Sequence, residues 1–232
     1  GNGITLSATE IDFGYVAVND SRDKTLTITN TKDSDISISG AAFDDAQFST
    51  STSFPVTVAA YSAADITLTF TPSATGAHAD TLQLSSDNIP GDATYGEFVL
   101  SGNGFDLSDG VVEVPAEVPT IQEAIDASSD GDTVLVAAGT YVENIEIDKE
   151  IVVIGADRET TIIDGDSSGS VVYFGSNAGM DTYFSGFTVQ NGIGQAINSG
   201  THNNHNCGGG IVIGYSASPL LTDLIVQNNT VD

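Results

Sequence analysis

The sequence predicts an all-β chain in two parts: a β-sandwich, then the opening coils of a right-handed parallel β-helix with a short capping helix. Three observations carry this. Residues 1 to about 105 contain alternating runs at intervals of roughly ten residues, the spacing of a sandwich. The stretch around Val118–Ala127 reads as one short amphipathic helix. Behind it, short β-branched runs closely followed by Gly, Asn or Asp continue through the rest of the chain in steps of roughly 20 residues or slightly more.

In the first part the runs are Lys24–Asn30, Asp35–Ser39, Ala64–Phe70, Asp80–Ser85 and Gly96–Ser101. Most place apolar residues at every second position, which puts them on one face of a strand. Leu26 and Ile28 then point inward while Thr25, Thr27 and Thr29 meet water. Clusters of Asn, Asp, Gly and Pro between the runs supply turns.

The same residues carry a resemblance. Ile11-Asp-Phe-Gly-Tyr-Val16, Leu26-Thr-Ile-Thr-Asn30, Phe70-Thr-Pro72, Gly76 and Leu100-Ser-Gly-Asn-Gly104 follow one another as in ASH-like immunoglobulin-type sandwiches. Such modules are often labelled "choice-of-anchor D" in bacterial surface proteins. The resemblance implies an immunoglobulin-like, seven-stranded spacer or binding module over residues 1–105, without catalytic residues. Gly1-Asn-Gly-Ile4 repeats Gly102-Asn-Gly-Phe105, as though the chain opens on the tail of a preceding module. Residues 106–117, polar and containing Pro115, read as a short linker.

From residue 118 to 232 the reading is the N-terminal part of a truncated solenoid. Thr120 is a good N-cap, and Glu123 three residues later completes a capping box. Ile121, Ala124 and Ile125 share a face. So short a helix is unstable alone and needs an apolar surface to cover, such as the open end of a solenoid. The β-runs are Thr133–Val136, Ile145–Ile147, Ile151–Ile154, Thr161–Ile163, Val171–Phe174, Phe187–Val189, Ile211–Ile213 and Leu224–Val226. Val189-Gln-Asn191 and Val226-Gln-Asn228 mark equivalent corners of neighbouring coils, with Gly192–Gly208 thrown out as a loop between them.

Composition narrows the chemistry. Five Lys+Arg stand against 32 Asp+Glu, a formal net charge of -27. Nucleic-acid binding and docking on anionic lipid are therefore excluded as expectations, because both need clustered cations. The acidity suits solubility in a salty or extracellular medium; bound calcium, a hard cation seeking oxygen ligands, is the sharper alternative. Hydrophobic residues make up 40% of the chain, enough for packed cores. Cys207 is the one cysteine, so there is no disulfide framework. No apolar run approaches the roughly 20 residues that span a bilayer. No signal peptide is visible at Gly1-Asn2-Gly3, which means only that the sequence reads as a processed or excised piece.

The second part resembles the pectin-lyase-like superfamily of right-handed β-helices. Pro119-Thr-Ile-Gln-Glu-Ala-Ile125, Gly139-Thr-Tyr-Val-Glu-Asn-Ile145, Ile154-Gly155 and Thr161-Ile-Ile-Asp-Gly165 look like the start of pectin methylesterases. Cys207-Gly-Gly-Gly-Ile211, Ser218-Pro219 and Val226-Gln-Asn-Asn-Thr230 look like generic bacterial β-helix surface repeats. The esterase resemblance implies two aspartates and a Gln-lined oxyanion site. Gln195-Ala196 is similar to one such element, but Gln227-Asn228-Asn229-Thr230 stands where Gln-Asp-Thr-Leu is wanted, and asparagine neither attacks nor takes a proton.

A polysaccharide lyase needs a Lys or Arg base, and this part holds Lys149 and Arg158, expected as turn charges pairing with Asp148 or Asp157. A hydrolase needs paired carboxylates, whereas Asp223 reads as a lone one. Asp130-Gly-Asp132 and Asp164-Gly-Asp166 are turns that double as the calcium expectation, at Asp130, Asp132, Asp164 and Asp166. His202, His205 and Cys207 have spacing that suits a transition metal, or a polar loop. Tyr141, Tyr173, Phe174, Tyr183, Phe184 and Tyr215 divide between core packing and sugar stacking.

The expectation is an extracellular or cell-surface bacterial protein with a structural or adhesive role. Its expected partners are polysaccharide or cell-surface glycan, neighbouring modules, or copies of itself through the strand edges of the last coil. The alternative is a polysaccharide-active lyase or esterase whose catalytic coils lie beyond Asp232.

Overall fold

The computed structural model describes residues 3–86, 98–199 and 202–231, and over 195–199 and 202–207 the backbone alone. Contacts divide the chain into two compact units, Gly1–Asp106 and Leu107–Asp232.

The first unit contains β1 (Ile4–Leu6), β2 (Glu10–Ala17), β3 (Arg22–Asn30), β4 (Ile36–Ala42), β5 (Phe48–Thr50), β6 (Val56–Val58), β7 (Ala63–Phe70), β8 (Gly76–Ser86) and β9 (Phe98–Phe105). One sheet runs β1-β3-β7-β5 and the other β2-β9-β8-β4-β6. All neighbours are antiparallel except β2 and β9. Three of these nine strands, β1, β5 and β6, are three-residue edges, which a count of long alternating runs passes over.

Alternation decides which residues enter the core. Leu26 and Ile28 are fully buried, with Thr25 exposed and Thr27 and Thr29 half-buried between and beside them. Ile66, Leu68 and Phe70 repeat the pattern on β7, and Ile36 and Ile38 on β4. Each such side chain contributes roughly 1.5–3 kcal/mol by leaving water. Phe48 and Phe70 stack at 4.9 Å between centroids, and Phe13 from the opposite sheet lies 5.8 Å from each.

The recurrent short motifs have steric and polar causes. Gly102 lies under Phe70, and a Cβ there would sit 2.6 Å from the ring. At Gly104 a Cβ would run into the carbonyl oxygen of Ala74 and lie 2.9 Å from Pro72. So Phe70, Pro72 and Gly102-Asn-Gly104 form one packed corner. Asn30 is 1% exposed; its Nδ2 donates to the carbonyls of Ser34, Val58 and Ala59, and its Oδ1 accepts from Lys32 N–H. One buried amide thereby ties together the ends of three segments.

The second unit contains β10 (Val111–Val114), α1 (Ile121–Ala127), β11 (Thr133–Val136), β12 (Gly139–Val142), β13 (Ile145–Ile147), β14 (Val152–Gly155), β15 (Thr161–Asp164), β16 (Val172–Phe174) and β17 (Tyr183–Gln190). It continues with β18 (Gln195–Ser199), β19 (His202–Cys207), β20 (Ile211–Ile213) and β21 (Leu220–Gln227). Part of the segment read from sequence as a linker is thus a strand, β10. Its Val112 and Val114 are buried, so the alternation in Val111-Val-Glu-Val114 is that of a rung.

Two parallel sheets make up this unit, apart from the antiparallel hairpin β18–β19. In the larger, β10, β11, β14, β17 and β21 follow one another in parallel register, while β12 and β15 lead to the second half of β17. The smaller is β13-β16-β20. The chain visits the larger sheet, then the smaller, and returns one rung on. Identical register positions therefore stack: Val112, Val134, Val153, Phe184 and Leu221 form one inward column, and Ile147 and Phe174 another, which Ile213 continues in register at an exposed position. Phe174 meets Phe184 edge-on at 5.8 Å, and Phe184 stacks on Phe187 at 4.6 Å, joining the two sheets. β17 is long because it spans both shorter strands below it. It turns at Gly186 (φ 82°), whose backbone abuts Gly155 so closely that a Cβ on either would strike the other's carbonyl oxygen.

Candidate functional site

The described residues of the second unit include three groups of hydrogen-bonded polar side chains. The first is the helix. Thr120 Oγ1 accepts from Glu123 N–H at 3.2 Å and donates to the Glu123 carboxylate at 2.8 Å, so Glu123 holds the capping hydroxyl. The two leading amides, Ile121 N–H and Gln122 N–H, donate to the two oxygens of Glu143, each at 3.0 Å. At the other end Lys149 Nζ donates to the carbonyls of Ile125, Asp126 and Ser128 at 2.9, 2.9 and 2.7 Å. An anion at the N-terminus and a cation at the C-terminus both complement the helix dipole. Gln122 accepts from Glu146 N–H at 2.7 Å and so covers part of the open edge of β13. Ile121, Ala124 and Ile125 are buried as expected. Lys149, expected as a turn charge, also serves helix carbonyls, because the turn before β14 brings its ammonium to the last helical turn.

The second place is a side-chain ladder along one corner. Asp164 Oδ2 accepts from Gln190 Nε2 at 2.9 Å and Asn191 Nδ2 at 2.7 Å, and Oδ1 accepts from Asp166 N–H. Gln227 Nε2 donates onward to Gln190 Oε1 at 3.1 Å. The Gln190 amide, then the Asp166 N–H, hold the Asp164 carboxyl below its usual range; partial burial opposes them and Asn191 adds to them. Val189-Gln-Asn191 and Val226-Gln-Asn228 are in register across β17 and β21, and Asn191 and Asn228 both adopt the left-handed conformation.

The third place is the outer face of β17 and β21. Tyr183 hydroxyl meets Thr222 Oγ1 at 2.7 Å, and Thr222 Oγ1 donates to Ser185 Oγ at 3.0 Å. The hydroxyls of Ser185 and Thr222 hold the Tyr183 phenol below its usual range, against partial burial and the Asp223 charge. Arg158 Nη1 pairs with Asp223 Oδ1 at 2.8 Å. Arg158 was expected to pair with Asp148 or Asp157 and Asp223 to stand alone. Parallel stacking instead brings residues far apart in sequence onto one face. This hydroxyl cluster escaped the sequence reading. The repeated Val-Gln-Asn corners hold its signal, since the register they fix places Ser185 opposite Thr222.

The aspartates expected to bind calcium lie in two separate turns. Asp130 Oδ1 accepts from Glu150 N–H and Asp132 Oδ2 from Ser129 N–H. Asp164 belongs to the ladder, and Asp166 follows it in a left-handed turn (φ 43°). Among the described residues no group of three or more His, Cys, Asp or Glu converges to hold a metal. His202, His205 and Cys207 lie on β19, but their side chains, like that of Gln195, fall outside the described residues. Of the aromatics, Phe174 and Phe184 are core, whereas Tyr215 is 95% exposed. No described helix is long and apolar enough to cross a membrane.

Residues 4–91 match the family profile described as "ASH: Abnormal spindle-like microcephaly-assoc'd, ASPM-SPD-2-Hydin". Among solved structures, the chain is similar to the ASH / PapD-like domain 7 of human CEP192, at 15% identity over 45% of this chain and 87% of that one, with a TM-score of 0.36. It is also similar to WR4, an MSP family member of C. elegans, at 11% identity over 45% and 99% of the two chains, TM-score 0.32. A protein of unknown function from Porphyromonas gingivalis W83 matches at 13% identity over 48% and 58%, TM-score 0.39. No curated protein matches the chain.

Proposed function

We propose, from the premise that residues 4–91 are an ASH domain, that the chain is a structural or adhesive piece of an extracellular, multi-domain surface protein. In this reading the ASH domain is a spacer and the second unit is the N-terminal part of a right-handed parallel β-helix. Parallel rungs in register, an inward apolar column and a helix over the first coils support the solenoid.

The observation that carries the structural role is where the second unit's charges go. Lys149 and Glu143 clamp the helix, Asp164 anchors the corner ladder, and Arg158 is neutralised by Asp223. Each of these holds backbone or another side chain in place, the work of a structural group. Partners on this reading are neighbouring modules and neutral or weakly charged glycans, since a net charge of -27 repels polyuronates.

The test is incubation of the full chain with pectate, methyl-esterified pectin and alginate, following unsaturated uronate absorbance, new reducing ends and released methanol. The expected result is no turnover. Turnover abolished by Tyr183→Phe or Arg158→Ala would overturn the reading in favour of a polysaccharide-active enzyme. Recovery from the cytosol of the producing cells would overturn the location.

A further inference from the structure

We infer that His78 in the ASH unit is an acid-sensitive latch, held as a neutral imidazole by Gln47 and transferred to Asp45 on protonation. The argument rests on hydrogen-bond polarity. Ser73 N–H donates to Gln47 Oε1 at 2.8 Å, which fixes which end of the amide faces Ser73. Gln47 Nε2 therefore faces His78 Nδ1, 2.8 Å away, and can only donate. Nδ1 must accept, so the proton sits on Nε2, which donates to Ala74 carbonyl at 3.3 Å.

The imidazole has little freedom to escape this assignment. Its side chain is 14% exposed, and its ring lies 5.8 Å from that of fully buried Phe70. Across the ladder it faces Gly102, which offers no side chain. Rotating the Gln47 amide to suit a protonated Nδ1 would set its NH2 against Ser73 N–H, donor to donor.

Protonation of Nδ1 reverses the balance. The new N–H points at the Gln47 NH2, while Asp45 Oδ2 stands 3.5 Å away as an alternative acceptor. Among the described residues, the ionisable groups tied to the ring's surroundings are Asp45 and Asp44 on the β4–β5 connection and Asp80 on β8. Asp80 Oδ2 is taken by the N–H groups of Asp44 and Asp45, which keeps that connection close to the ring. Phe70, Gly102, Ser73 and Ala74 bring no charge. His78 thus moves from Gln47 to Asp45, and Gln47 Nε2 loses its acceptor. Gln47 spans two connections, since its own carbonyl accepts from Thr71 N–H and its Oε1 from Ser73 N–H. Acid thereby loosens the join between the β4–β5 and β7–β8 connections, at the corner built on Phe70, Pro72 and Gly104.

The test is a pH titration of the full chain labelled with 15N, reading the His78 ring nitrogens and the Ser73 amide. At the alkaline end the expected form is the Nε2-protonated tautomer. As the ring protonates, Ser73 amide exchange, corrected for its intrinsic pH dependence, should rise about tenfold, the loss of one hydrogen bond of ordinary strength. In Gln47→Glu a carboxylate can accept from both Ser73 and Nδ1–H, so the ring should titrate at higher pH and Ser73 protection should persist through it. An Nδ1-protonated neutral tautomer would overturn the assignment. Ser73 exchange indifferent to ring protonation in the wild type would overturn the latch, and so would a Gln47→Glu titration that does not move.

Discussion

Replacing Lys149 by methionine keeps most of the aliphatic stem and removes the ammonium that serves the last helical turn. Three carbonyls, those of Ile125, Asp126 and Ser128, lose the ammonium, and Ile125 keeps only the longer bond from Ser128 N–H at 3.3 Å. Buried bonds to a charged group are worth about 1.5–3 kcal/mol each, and a cation at a helix C-terminus adds roughly 0.3–1 kcal/mol. Here the bonds are part-buried or exposed. Water can replace the ammonium at each, and the expected total is about 2 kcal/mol. With a urea slope of about 2 kcal/mol/M that is a midpoint lower by roughly 1 M. The chain has no Trp, so the transition is read by tyrosine near-UV circular dichroism. Because the two units need not unfold together, amide exchange at Ser128, which donates to Ala124, supplies a local reading. A midpoint within about 0.2 M of wild type, with Ser128 protection unchanged, would refute the clamp.

Gly102→Ala forces a methyl against Phe70 in a filled core and should cost about 1–3 kcal/mol in urea unfolding of the ASH unit. Asn30→Ala removes a buried donor from the Ser34, Val58 and Ala59 carbonyls, of which Ala59 keeps Ser62 N–H, and takes the acceptor from Lys32 N–H; about 2 kcal/mol of destabilisation is expected from the same assay. The Gln190 amide, as the largest cause, holds the folded-state pKa of Asp164 below its ordinary value. Its contribution is therefore present above that value and lost as pH falls through the folded one. The gap in thermal midpoint between wild type and Asp164→Asn should narrow on acidification across that window.

The two parts were unequally legible. In the sandwich, alternation alone placed Leu26, Ile28, Ile66 and Leu68 inside, because a strand's period of two leaves one choice of face. In the second unit the helix face Ile121, Ala124 and Ile125 and the Val-Gln-Asn corners were equally readable. The strand character of Val111–Val114 was not, since a four-residue rung beside Pro115 and two glutamates has the composition of a linker. Its burial comes from β11 below it.

Local pattern determined the all-β class, the capped helix and the order of rungs, because those follow from periodicity and turn chemistry within a few residues. Which charge meets which was decided by tertiary structure alone. Lys149 finds the end of a helix more than twenty residues earlier, Glu143 its beginning, and Arg158 reaches Asp223 across an intervening rung. The physical reason is that pairing in a parallel ladder makes neighbours of residues one or two strands apart in the sheet, and loop lengths set that offset. The neutral form of His78 is decided in the same way, by Ser73 and Gln47 arriving from two different connections.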